Sequence, residues 1–167
     1  MLDEPELRQF LRTDYPRLVA AVALVSGSRS AAEDAVQEAL LRAWERTRRG
    51  HQLGSLSAWV ATVALNLSRS GIRRRIAERK LRPRLTVRYI DAPSVDELDV
   101  SRAIAQLPRR QREAVVLRYL LDMNTAEVAE TMRVSEGTVK SQLARARSAL
   151  AEILEVDEEV ERNHVEA

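Results

Sequence analysis

Apolar residues recur at helical spacing along almost the whole chain. Between Glu4 and Val25, the residues Leu7, Phe10, Leu11, Leu18, Val22 and Val25 return to one side of a 3.6-residue turn and predict a first helix. Pro16 lies inside it and predicts a kink or a break there. Ser26-Gly27-Ser28 closes the element, and Ser30 to Glu33 has the Ser-x-x-Glu form of a capping box for a second helix. That helix extends to about Thr47 on a stripe of Val36, Ala39, Leu40, Ala43 and Trp44. A loop, Arg48 to Ser55, holds Gly50, Gly54 and His51. The third helix starts near Leu56 and carries Trp59, Val60, Val63, Ala64 and Leu67.

Beyond residue 68 the third helix turns basic, with Arg69, Arg73, Arg74, Arg75, Arg79 and Lys80. Pro83 and Pro93 bracket a stretch of weak periodicity, which predicts a linker. Within it Leu85 to Ile90 has strand-like composition but no partner strand. A second capping box, Ser94 to Glu97, opens four more helices. They cover about Glu97 to Gln106, Arg109 to Leu121, Asn124 to Met132, and Ser135 past Leu150, with an acidic, frayed end from Asp157. Asn124 and Glu127 stand in capping positions, and Ser135 is a good N-cap.

Composition agrees with the pattern. Only five glycines and five prolines occur in 167 residues, too few for a turn-rich β chain. Alanine, leucine, arginine and glutamate, all helix formers, dominate. The fold class expected is all-α, in two small helical domains joined by a linker. The absence of cysteine excludes disulfides and any zinc site built on cysteine. No apolar run reaches the length of about 18 residues that a membrane span requires. A cytoplasmic protein without membrane contact of its own is expected, with no metal and no cofactor.

The net charge is only +2, so distribution matters more than total. From Thr125 to Arg147 the sequence has the form of two short helices meeting at a tight turn, Met132 to Ser135. Val139, Leu143, Ala146 and Leu150 give the second of them a buried face. Thr138, Lys140, Ser141, Ala144 and Arg145 are left on or beside the outer face, where a recognition helix meets bases and phosphates. An ordinary hairpin with a solvated face has the same pattern. In the second helix Asp34, Gln37, Glu38 and Leu41 share one face, nearly opposite Val36 and Ala43. That surface suits either a cationic protein partner or plain solvation. The arginines from Arg69 onward surround the helix end and cannot all be paired internally, which points to phosphate. Trp59, Asn66 and Arg73 lie seven apart, so they could support unpaired bases. Trp59 fits the core equally well.

Four segments together resemble one family. Ala32 to Trp44, Ser57 to Asn66 with the arginines after it, Leu107 to Tyr119, and Gly137 to Arg147 are similar, in order and spacing, to the extracytoplasmic-function (ECF, group IV) sigma factors of the sigma-70 family. The resemblance implies a region 2-like domain over 1–81, a linker over 82–96, a region 4-like helix-turn-helix domain over 97–156, and a tail over 157–167. It implies an alternative sigma factor that binds RNA polymerase core and reads promoter DNA. Asp34, Gln37, Glu38 and Leu41 would dock on the clamp coiled coil of the β′ subunit, and the second domain would meet the β flap. The loop with Arg48 and His51 would take a flipped −10 base, beside Trp59, Asn66, Arg69, Arg73 and Arg74. Lys140, Ser141 and Ala144 would face −35 bases, with Thr138 and Arg145 on phosphate. An anti-sigma factor is an implied partner. The chain departs from the family at Ser70, often Asp, at the helix-weakening Gly71, and at Gln142, often Arg.

The competing reading is a dimeric helix-turn-helix regulator that acts without polymerase. It explains the C-terminal half and leaves the Asp34 face and the Arg48 to Ser55 loop without a role. Catalysis is not expected. His51 and His164, the two histidines, lie far apart in sequence, and Asp34 and Glu38 share an open helix face with no pocket.

Overall fold

The computed structural model describes residues 4–81 and 95–165. These form α1 (Glu4–Ser26), α2 (Arg29–Arg48), α3 (Leu56–Leu81), α4 (Val95–Gln106), α5 (Arg109–Val115), α6 (Thr125–Met132) and α7 (Glu136–Val165), with a π-helical turn at Val116–Leu120. No strand occurs among the described residues. The strand-like stretch Leu85–Ile90, Ser94 and most of the expected linker lie outside them. The chain divides into two compact units, Met1–Asp91 and Ala92–Ala167.

In the first unit α1, α2 and α3 all pack on one another. Leu18, Val22, Val36, Val60 and Leu65 are almost wholly removed from solvent. Burying each such side chain is worth roughly 1.5–3 kcal/mol. Ala32, Ala39, Ala43 and Ala64 are buried among them, and small side chains there let the helix axes approach. Pro16 does not interrupt α1. It is exposed, and so is Arg12, whose carbonyl loses its intrahelical donor to the proline ring. That carbonyl lies on the solvent side, where water can take the place of the lost donor, and the break expected at Pro16 does not occur. One member of the expected stripe faces outward: Leu11 stays 44% exposed, although Phe10 before it is buried.

The start of α2 differs from expectation. Gly27, at φ 72°, ends α1 with its N–H on the Ala23 carbonyl. Ser28 then takes the extended conformation of a cap (φ −153°, ψ 120°) and accepts from the Ala31 N–H. Ser30 is already inside the first turn, and Glu33 pairs with Arg29 at 3.1 Å. The box expected at Ser30 is therefore replaced by a cap at Ser28. At the other end Gly50 adopts φ 84° and donates to Thr47. Ser55 caps α3 by accepting from the Ala58 N–H. From there α3 runs past Gly71 without interruption.

In the second unit α7 packs against α4, α5 and α6. Leu107, Leu117, Val128, Val139 and Ala146 form its buried centre. Asn124 and Glu127 make the expected capping box on α6, at 3.0 and 2.7 Å. The single helix expected over Arg109–Leu121 is instead α5 followed by the π-helical turn, where the Leu121 N–H reaches the Val116 carbonyl and the Met123 N–H reaches Leu117. Asp122, at φ 53°, turns the chain just beyond. The wider turn keeps both Val116 and Leu117 in the core. α4 begins at Val95, two residues ahead of Glu97, and α7 extends to Val165. The run past Asp157 holds neither Gly nor Pro and is rich in Glu, a good helix former.

Candidate functional site

Three surfaces carry the expected chemistry. On α2, Asp34 and Gln37 are exposed, Glu38 is half-buried and Leu41 is 50% exposed. They share one face, and its charge is partly spent. Glu38 accepts from Arg42 at 2.7 Å, and Gln37 donates to the Tyr15 hydroxyl across on α1 at 3.3 Å. Asp34 is the carboxylate the face leaves open among the described residues. Trp44, placed in the core stripe from its spacing, is 42% exposed. It lies about 100° from the buried Ala43, at the border of the stripe, where alanine-width packing leaves no room for an indole. Trp44 joins Leu41 on the open face, so this surface is more apolar than the sequence alone implied.

The second surface lies where the end of α2, the following loop and the start of α3 meet. Arg42, Glu45, Arg46, Arg49, His51, Trp59 and Val63 line an open pocket of about 310 Å³. Arg42, Glu45 or Arg46, and Arg49 stand at helical intervals of three, four and seven, so one face of the last turns of α2 supplies the basic wall. Trp59, half-buried, supplies an aromatic wall from α3. The His51 N–H reaches back to the Arg46 carbonyl and fixes the loop over the helix end. Of the residues singled out from sequence, His51 and Trp59 meet here. Arg48 does not: its guanidinium sits over the Trp44 ring, 4.8 Å from the centroid. Asn66 accepts from Arg69 at 2.8 Å, further along α3. Arg73 and Arg74 lie on α3, but their side chains are outside the described residues. Arg42, Glu45, Arg46 and Arg49 were missed by sequence reasoning, although the helical spacing among them was available.

The third surface is the helix-turn-helix of α6 and α7. Arg133 enters the left-handed region (φ 55°, ψ 52°). Its N–H donates to Glu130 and the Val134 N–H donates to Ala129, the paired bonds that close a helix sharply. Ser135 caps α7 by accepting from the Thr138 N–H at 3.2 Å. Thr138, Lys140, Ser141, Ala144 and Arg145 are all exposed, while Val139, Leu143 and Ala146 are buried beneath them. Two hydroxyls are already engaged. Ser141 donates to the Gly137 carbonyl at 3.0 Å, and Thr138 shares a hydrogen bond with Ser135 at 2.9 Å. Ser141 is thereby left as an acceptor. Burial holds the Arg112 guanidinium below its usual range, assisted by repulsion from Arg109. Its Nη2 donates to the Leu107 carbonyl, so Arg112 braces the start of the unit.

Among the described residues no helix is long and apolar enough to cross a membrane, and no group of three or more His, Asp or Glu side chains could hold a metal ion.

Comparison with known proteins matches both units. Residues 10–77 match the model of sigma-70 region 2, and residues 97–150 match that of sigma-70, region 4. The ECF RNA polymerase sigma factor EcfG of Rhodopseudomonas palustris is 31% identical, over 90% of this chain and 86% of its own. SigM, an ECF sigma factor of Mycobacterium tuberculosis, is 32% identical over 87% of this chain and 76% of its own. Among solved structures, the sigma factor RpoE of Bartonella quintana, crystallised with the anti-sigma factor NepR, aligns with a TM-score of 0.73 at 30% identity. That match covers 91% of this chain and 98% of RpoE.

Proposed function

This chain belongs to the ECF sigma factors of the sigma-70 family, and from that premise we propose how its surfaces divide the work of an alternative sigma factor. The α2 face of Asp34, Gln37, Glu38 and Leu41, extended by Trp44, binds the β′ clamp coiled coil of polymerase core. The region 4-like unit meets the β flap. The α2–α3 pocket captures an unpaired −10 base, and Asn66, Arg69, Arg73 and Arg74 follow the same strand along α3. Lys140, Ser141 and Ala144 face −35 bases, while Thr138 and Arg145 hold phosphate. The working divisions are 1–81 for core and −10 binding, 82–96 for the linker, 97–156 for −35 binding, and 157–167 for the acidic tail.

The observation that carries this reading is the separation of surfaces. The open carboxylate Asp34 and the apolar pair Leu41 and Trp44 share one face of α2, while arginines gather at the end of the same helix. A surface that grips nucleic acid needs positive charge, whereas an open carboxylate beside apolar side chains suits a cationic protein partner. The dimeric regulator that would act without polymerase leaves the α2 face and the pocket unexplained and does not fit a sigma family. The chain has no enzymatic role in this scheme, since catalysis stays with core. RpoE was crystallised in complex with the anti-sigma factor NepR, and in this scheme a protein of that kind would restrain the present chain by covering these exposed surfaces.

Charge reversal tests the assignment. Asp34→Lys with Glu38→Lys should prevent co-migration with core polymerase on gel filtration, while far-ultraviolet circular dichroism stays unchanged. Retained co-migration and run-off transcription by the double variant would refute it.

A further inference from the structure

The α2–α3 pocket holds more chemistry than base capture alone requires. A groove that only tracks a strand needs cations and an aromatic face, since every base has a π-face. This pocket also contains a carboxylate, Glu45, beside Arg46 and Arg49. Glu45 is exposed, and it makes no ion pair among the described residues despite its basic surroundings. A carboxylate on the wall of a phosphate-binding cleft would weaken it, so its place in the lining suits a ligand that donates.

We infer that Glu45 reads the edge of the captured base and that guanine is the occupant it selects. This rests on the base-capture reading above. An ionised carboxylate only accepts hydrogen bonds, through two oxygens side by side. Guanine presents two adjacent donors, N1–H and the exocyclic N2 amino group, which match those oxygens. Adenine and cytosine place a ring acceptor beside their amino group, so one carboxylate oxygen would face a lone pair. Thymine flanks its single N–H with two carbonyl oxygens. The other side of guanine, O6 and N7, accepts, and arginine is the usual donor to it. Arg46 and Arg49 stand on the same helix end as Glu45, and Trp59 offers the stacking wall. The pocket, at about 310 Å³, is at the lower end of the size that encloses a small ligand.

The test uses holoenzyme reconstituted from the full chain and core polymerase. Promoter templates carry each of the four bases, or an abasic site, at each non-template position of the −10 element. Open-complex stability is then measured with the wild-type chain and with Glu45→Gln. One position should be sensitive to loss of the base, and guanine there should be preferred by about tenfold, the size of a bidentate contact. Glu45→Gln should erase most of that preference and leave the abasic penalty in place. A base-sensitive position with another base preferred, or a guanine preference that survives Glu45→Gln, overturns the inference while base capture stands. If no position is sensitive to base removal, base capture itself fails and the inference falls with it. Glu45 is exposed, so the variant should melt like the wild type, which circular dichroism checks.

Discussion

At the scale of single residues, the turns set the register of the functional surfaces. Gly50 sits at φ 84° with open space where a Cβ would stand, so Gly50→Ala meets a backbone cost and no clash. Thermal unfolding should show a loss of about 1–2 kcal/mol, with a misplaced His51 as its functional consequence. Arg133 pays a comparable cost in the left-handed region at the close of α6. Arg133→Gly should therefore stabilise the second unit by up to ~1 kcal/mol in urea titration; a loss instead would mean that the arginine side chain supports the turn. Asn124→Ala removes half of a formed capping box and should cost about 1 kcal/mol by the same titration. Residue-scale legibility was uneven for a physical reason. The box at Asn124 and Glu127 was readable because the two residues bond only to each other's neighbourhood. The cap at Ser28 was not, because two serines lay within reach and the choice between them depended on where Gly27 turned the chain.

At the scale of elements, buried faces were legible and helix interiors less so. Val139, Leu143 and Ala146 fall on the buried side of α7 as their spacing requires, which leaves Lys140 and Arg145 exposed. Lys140→Ala should reduce −35 selectivity by about 1–3 kcal/mol, read as a flattened promoter profile; an unchanged profile would remove it from the base-reading set. The π-helical turn at Val116–Leu120 had no signal in the sequence, since its residues also suit an α-helix and the closing at Asp122 decides the geometry. Trp44 shows the limit of periodicity on α2. At the edge of an apolar stripe, side-chain volume decides between core and surface, and there the alanines take the interior. The pocket residues on α2 were equally hidden, because Glu45 and Arg46 acquire meaning only once the loop brings His51 and Trp59 to them. On α3, replacing Arg73, Arg74 and Arg75 with Ala should flatten the salt dependence of promoter binding, by a slope change of about 2–3 for three lost phosphate contacts.

At the scale of the whole molecule, the chain divides into two compact helical units, to which the proposed scheme gives separate tasks; the order and spacing of four sequence segments together pointed to two domains. Each unit has its own buried core. On the proposed scheme the chain should bind duplex DNA weakly until polymerase core holds it. The most direct measurement is transcription by core polymerase with and without the purified chain on a genomic DNA library, with the 5′ ends of the transcripts sequenced. New start sites that share two upstream motifs at fixed separation, absent with core alone and lost with Asp34→Lys and Glu38→Lys together, are the predicted result. A start-site profile identical with and without the chain would contradict the account.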